Sequence, residues 1–254
     1  MRLQGKTALI AGASRNIGKA TALTFAREGA DLILVARKMG DELKQVARDC
    51  EGLGVQALPL LADVGNHEEV NRMVQLGLGR FGKVDVLVSA AAIRPHRPFW
   101  EISYDEWQQV FAVNLHSTFY LAKALAPGMM ERGAGGSIIA LGGLASLTSQ
   151  PIRAHVVASK TGLYGLIKSL ALELGPYSIR ANLIAVGFIG TERRNPEWYP
   201  EESNMPFTRS EVETTPLRRT GTPQEVANVA LFLASDESSY VTGDRIVCAG
   251  GRYM

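Results

Sequence analysis

Short apolar runs alternate with stretches of helical spacing along almost the whole chain. Lys6–Ala11 is nearly all apolar, as expected of a strand buried on both faces of a parallel sheet. The turn Gly12-Ala-Ser-Arg-Asn-Ile-Gly18 breaks that run. A helix is then predicted with Gly18, Ala22, Phe25, Ala26 and Gly29 on one face, and Gly29-Ala30 ends it. Asp31–Ala36 is the second strand, and Val55–Leu61, Val84–Ser89, Gly136–Leu141, Ile179–Val186 and Arg245–Cys248 predict five more.

Helices fill the intervals between these strands. One runs from about Asn66 to Arg80, with Asn66 as its N-cap. A long one spans Ser103 to about Arg132, with Trp107, Val110, Phe111, Asn114, Leu115 and Thr118 turned inward. Another covers about Arg153 to Leu174 and carries Val156, Lys160, Leu163, Tyr164, Ile167 and Ala171 along one side. Thr222-Pro-Gln-Glu225 opens the last with a cap, a first-turn proline and an acidic residue. Gly190 to Glu213 shows no clear periodicity. A loop that long inside a compact domain is expected to be a lid or substrate loop, with Trp198 and Tyr199 closing over the site. The alternation predicts an α/β fold: one domain over 1–254, with a doubly wound parallel sheet and helices on both faces.

Composition narrows the function classes. An apolar fraction of 46% supplies a sizeable core, and a net charge of +2 gives no support for a nucleic-acid or membrane-surface partner. Cys50 and Cys248 match no metal spacing and read as reduced thiols. No room for a signal peptide precedes the first strand, and no apolar run reaches the ~20 residues of a membrane span, so a soluble, cytoplasmic protein is expected.

The candidate chemistry begins at the first turn. A helix N-terminus opening directly after a strand and a glycine turn suits a pyrophosphate, against the plain reading of a glycine-rich turn that binds nothing. An NAD site wants a carboxylate near the end of the second strand, but Ala36, Arg37 and Lys38 stand there, and Arg15 adds a cation in the turn. Guanidinium groups form paired bonds to phosphate, so NADP(H) is favoured over NAD(H); the competing reading leaves Arg37 and Lys38 as a solvated strand end.

With these elements in order, the chain resembles the short-chain dehydrogenase/reductase family from end to end. The match rests on the turn Gly12 to Gly18, including Ser14, Arg15 and Ile17, with Asn16 where a middle glycine is usual. It also rests on Asp63-Val64, on Asn114, on Ala158-Ser159-Lys160, and on Val186-Gly187-Phe-Ile-Gly-Thr191. Pro216 to Glu225 and Val241-Thr-Gly243 extend the match through the C-terminal quarter. The resemblance implies that Asp63 and Val64 contact the adenine, that Ala90 and Ala91 line the cofactor, and that Gly187, Ile189 and Thr191 meet the nicotinamide. It implies that Lys160 holds the nicotinamide ribose and that Asn114 orders a water. A homo-dimer or homo-tetramer is implied as well, pairing the outer faces of the two long helices through Phe119, Leu166 and Leu170.

Two positions depart from the family's active site. Val156 stands four residues before Lys160, where the catalytic tyrosine belongs, and Gly143 stands where a serine steadies the substrate carbonyl. The turn after the fourth strand, Ser89-Ala90-Ala91-Ala92, also departs from its pattern. The expectation is an oxidoreductase acting on a small molecule with altered proton handling. The alternatives are a silent cofactor-binding subunit, or a lyase or isomerase in the same pocket. His155, next to Val156, reads either as a capping or surface histidine or as a replacement acid. His96 lies in Arg94-Pro-His-Arg-Pro98, at the carboxyl ends of the strands, and is the second candidate acid. Arg94 and Arg97 beside it could hold an anionic group, against the plain reading of a solvated loop. Lys160 is either a surface lysine with a buried stem or an inward lysine that needs a partner, and Asn114 reads as a structural pin ahead of a water relay.

Overall fold

A computed structural model describes residues 1–38, 40–192 and 212–253. Seven parallel strands form one sheet in the order β3-β2-β1-β4-β5-β6-β7. They are β1 (Thr7–Ala11), β2 (Asp31–Ala36), β3 (Ala57–Leu61), β4 (Val86–Ser89), β5 (Gly136–Leu141), β6 (Ile179–Val186) and β7 (Arg245–Cys248). The strand order reverses between β1 and β4, so their carboxyl ends frame the crevice where such sheets bind ligands.

Successive strand residues feed opposite cores. Ala8 and Ile10 of β1, with Leu32 and Leu34 of β2, face one side, against α1 (Asn16–Arg27), α2 (Gly40–Glu51) and α8 (Pro223–Ala234). Leu9 and Ala11, with Ile33 and Val35, face the other, against α3 (His67–Phe81), α5 (Ser117–Arg132) and α7 (Ala154–Leu174). The unbroken apolar runs read from the sequence are therefore strands with two buried faces. β3 is one of the two edge strands, and Pro59 is tolerated there because one side of the strand has no ladder to complete.

The expected caps form. The Asn66 side chain accepts from the amides of Glu68 at 2.9 Å and Glu69 at 3.2 Å. Thr222 and Glu225 close a reciprocal capping box, the Thr222 amide donating to Glu225 Oε2 at 2.8 Å.

Three elements differ from the sequence reading. Helix α2 has no counterpart among the predicted elements, although Leu43, Val46, Ala47 and Cys50 form its buried stripe. Nor does the short helix α6 (Ala145–Thr148). The long helix is not uniform: α4 (Tyr104–Phe111) passes through a π-helical turn, Ala112–His116, into α5. Asn114 is buried within that turn. Of the expected lid, 193–211 lies outside the described residues, and Trp198 and Tyr199 with it. Among the described residues, no helix is long and apolar enough to cross a membrane.

Candidate active site

The glycine turn after β1 is shaped by close approach. A Cβ on Gly12 would lie 2.8 Å from the Ala91 amide nitrogen and 3.0 Å from the Ala90 carbonyl carbon, so the turn packs directly on the chain leaving β4. A Cβ on Gly18 would lie 2.0 Å from the Gly12 carbonyl oxygen, which excludes any side chain there. Asn16 occupies the left-handed region at φ 51°, which explains why glycine suits the position and why asparagine, which tolerates that region best after glycine, can replace it. Its side chain binds the backbone of Glu192 through two hydrogen bonds of 3.1 and 3.0 Å.

The cations near this turn fit a phosphate. Arg15, the residue before α1, has a buried Nη1 with no hydrogen-bond partner. An unpaired buried donor of this kind costs free energy unless something fills it, and it sits beside the positive end of a helix. Ala36 closes β2, and Arg37 and Lys38 follow it on the surface. Arg37 Nη1 lies 3.6 Å from Asp63 Oδ2, a loose, largely solvated pair. Asp63 is held in turn, its amide donating to Glu69 Oε2 at 2.7 Å and its Oδ1 accepting from the Gly65 amide at 2.9 Å. Val64 is buried beside it in the α3-side core.

On the far side of the crevice, the segment after β6 is pinned to the loop before α8. The Gly190 amide donates to the Gly221 carbonyl at 2.9 Å, and the Gly221 amide to the Phe188 carbonyl at 2.8 Å. Gly187 is locked against Ala249, whose Cβ would lie 2.6 Å from a Cβ at 187. Ile189 is buried, and Thr191 is half-buried with no hydrogen bond among the described residues. Its donors are open to a ligand.

The residues expected to do chemistry are placed unevenly. Lys160 is buried, with Nζ donating to the Leu141 carbonyl at 2.7 Å. Among the described residues no carboxylate pairs with it; burial, and then the charge of Arg94, lower its pKa to about 7. The surface reading of Lys160 is thereby overturned. Asn114 is a pin: Oδ1 accepts from the Ile93 amide at 2.9 Å, while Nδ2 donates to the Ile93 carbonyl at 2.9 Å and to Ser159 Oγ at 3.3 Å. Both functional ends of its amide are occupied by protein.

Val156 is buried in a small apolar cluster with Ile93, Val110 and Val113. Gly143 faces open space, with nothing within 4 Å of a Cβ built there. The Ser146 hydroxyl is turned onto the Gly143 carbonyl at 2.7 Å, and Tyr164 lies under Arg245 at 4.5 Å.

His155 is corrected most. It is neither a capping nor a surface residue but fully buried, with Nε2 3.1 Å from Glu106 Oε1. Burial pushes its pKa below the ordinary histidine value, against the opposing pull of Glu106. Glu106 also accepts from Arg97 Nε at 2.9 and 3.1 Å, which removes Arg97 as a free holder of anions. This network joins the loop after β4 to the start of α7, and the Arg97 amide adds a bond to the Ile152 carbonyl at 2.8 Å. His96 is half-buried in the same loop, and Arg94 is exposed. Nothing local in the sequence marks Glu106 or Glu192, because their partners lie 49 and 176 residues away.

Comparisons with known proteins agree with this geometry. Residues 12–252 match the family described as enoyl-(acyl carrier protein) reductase. The chain is 37% identical over 251 residues to 3-oxoacyl-[acyl-carrier-protein] reductase FabG of Thermotoga maritima, covering 99% of both chains. It is 35% identical over 253 residues to L-rhamnose 1-dehydrogenase (NAD(P)(+)) of Sphingomonas sp. (strain SKA58), covering 99% of this chain and 98% of that one. A crystal structure of a short-chain type dehydrogenase/reductase from Mycobacterium marinum superposes with a TM-score of 0.87 at 33% identity, over 98% of this chain and 96% of that one.

Proposed function

This chain belongs to the short-chain dehydrogenase/reductase family, and from that premise we propose that it is an NADP(H)-preferring oxidoreductase whose proton handling rests on Lys160. One observation carries the reading: the same fold holds a close-packed glycine turn at a helix N-terminus, suited to a pyrophosphate, and a buried lysine that no carboxylate partners among the described residues.

The bound nicotinamide cofactor would supply or accept the hydride. Each residue then has a task that its position supports. The α1 N-terminus and the close-packed Gly12–Gly18 turn receive the pyrophosphate. The unfilled Nη1 of Arg15, with Arg37 and Lys38 beyond β2, favours a 2′-phosphate, and Ala36 offers no carboxylate to a 2′-hydroxyl. Thr191 and the backbone at Gly187 and Ile189 face the nicotinamide end, while Asp63, Val64, Ala90 and Ala91 line the adenosine side. Lys160 holds a ribose hydroxyl or exchanges a proton at Nζ, which sits between its two charge states near neutrality. His155 positions the wall through Glu106, and His96 remains the rim group able to meet a substrate.

Gly143 and Val156 place no hydroxyl in the site, and losing a positioned acid costs about 10² to 10⁴ in rate. The substrate that suits this arrangement is a small molecule whose accepting carbon needs no proton on oxygen, such as an iminium or an activated alkene. A cytoplasmic location and a homo-oligomer, with Phe119 exposed on α5, complete the reading.

The test follows NADPH oxidation over panels of carbonyls, imines and activated alkenes, for the natural chain and for Lys160→Met. Turnover of imines or alkenes that falls sharply in the variant is expected, with feeble action on simple ketones. Robust ketone reduction that ignores Lys160 overturns the reading.

A further inference from the structure

Asn16 does more than tolerate its backbone angle. Its amide side chain is matched to a backbone: Nδ2 donates to the Glu192 carbonyl at 3.1 Å, and Oδ1 accepts from the Glu192 amide at 3.0 Å. On the other flank, Gly190 donates to Gly221 at 2.9 Å. Thr191 therefore lies between two anchored neighbours, one tied to the loop before α8 and one to the first residue of α1. Its own amide and hydroxyl make no hydrogen bond among the described residues.

We propose that Asn16 is a positioning residue for the nicotinamide end of the dinucleotide: its clasp on Glu192 fixes Thr191 relative to the phosphate turn, so that the open donors of Thr191 stand ready for the carboxamide. Glycine at this position would relieve the left-handed strain yet leave the segment after β6 anchored on one side only. Asparagine accepts a mild backbone cost and gains two hydrogen bonds that tie the two halves of the cofactor crevice together. Holding Thr191 in place before binding removes an ordering cost that a loose segment would meet on association. The inference rests on the dinucleotide reading above.

The experiment pairs two variants with two ligands. Asn16→Gly removes the clasp from one side, and Glu192→Pro removes the amide donor from the other while leaving the turn intact. Affinities for NADPH and for adenosine 2′,5′-bisphosphate, which lacks the nicotinamide half, are measured by calorimetry. Hydrogen exchange is followed at residues 188–192 without ligand. The expected result is NADPH binding weakened about five- to tenfold by either variant, as the loss of hydrogen bonds worth ~1 kcal/mol implies. The fragment should change by less than about twofold on the same scale. Exchange at 188–192 should accelerate, and the double variant should be no worse than either single one. Equal weakening of both ligands would show Asn16 acting at the phosphates and overturn the proposal. Unchanged exchange at 188–192 would overturn the clasp alone, leaving the cofactor reading standing. A natural chain that binds neither ligand would overturn the cofactor reading, and this inference with it.

Discussion

Replacing Lys160 with methionine should remove a pH dependence of stability that the fold itself creates. The Lys160 amine is buried and, among the described residues, has no carboxylate partner; burial pushes its pKa down from the ordinary lysine value of about 10.4 to about 7. Between those values the unfolded chain binds a proton that the folded chain does not, so stability rises with pH across the window. Below about pH 7 the folded state must carry a buried ammonium, and the full penalty applies. A displacement of this size corresponds to about 5 kcal/mol in all, of which about 2.5 kcal/mol falls between about pH 6.5 and about pH 9.

Methionine keeps nearly the length of the side chain and occupies the buried position without a charge. Urea unfolding of the ligand-free protein at a series of pH values measures both chains. The natural protein should gain stability through the window relative to Lys160→Met, and the difference between them isolates Lys160. Cys50, whose thiol burial pushes up to about 12, contributes equally to both, and the lowered pKa of His155 acts only below the ordinary histidine range. Parallel pH profiles would refute the reasoning, because the amine would then have to reach solvent or a hidden acid.

Three further outcomes follow from the site. Gly143→Ser combined with Val156→Tyr should raise ketone reduction by roughly 10² to 10⁴, measured by NADPH absorbance, since a positioned acid is worth that much; position 143 has open room, while the ring at 156 must displace the Ile93–Val110–Val113 cluster at about 1–3 kcal/mol of stability. Cofactor fluorescence should give tighter binding of NADPH than of NADH, and Arg37→Asp should abolish or invert that order; equal affinities in the natural chain would count against the assignment. Light scattering at micromolar concentration should return a dimer or tetramer, and Phe119→Glu, placing a charge on an exposed ring of α5, should shift it toward the monomer.

The sheet was legible because its strands are buried on both faces and so appear as uninterrupted apolar runs, as in Asp31–Ala36 and Gly136–Leu141. The stripe of α2 is fainter: Leu43, Val46, Ala47 and Cys50 keep helical spacing, but charged residues between them dilute the signal. Local chemistry was legible at Asn66 and Thr222, where a cap needs only its own next few residues. The side-chain networks were not. Nothing near His155 in sequence names Glu106 as its partner, and nothing near Asn16 names Glu192, because those pairs exist only once the sheet has brought distant loops together. The identities at Gly143 and Val156 are readable in the sequence, but the open space at one and the closed apolar cluster at the other arise only where the fold brings distant residues together.

The π-helical turn at Ala112–His116 has a consequence for how this helix can change. It takes up one extra residue within a turn, so the part of the helix that meets the loop after β4 and the part that lies on the sheet are offset by about 100° from the register of a regular helix of the same length. Rewinding 112–116 as regular α-helix at unchanged length would appear locally favourable. It would also turn Leu121, Leu125 and Met129 away from the core, or else swing Val110 and Asn114 away from Ile93. Substitutions that favour a regular helix in this turn therefore work against the packing at both ends, because the site and the core hold opposite ends of the same screw.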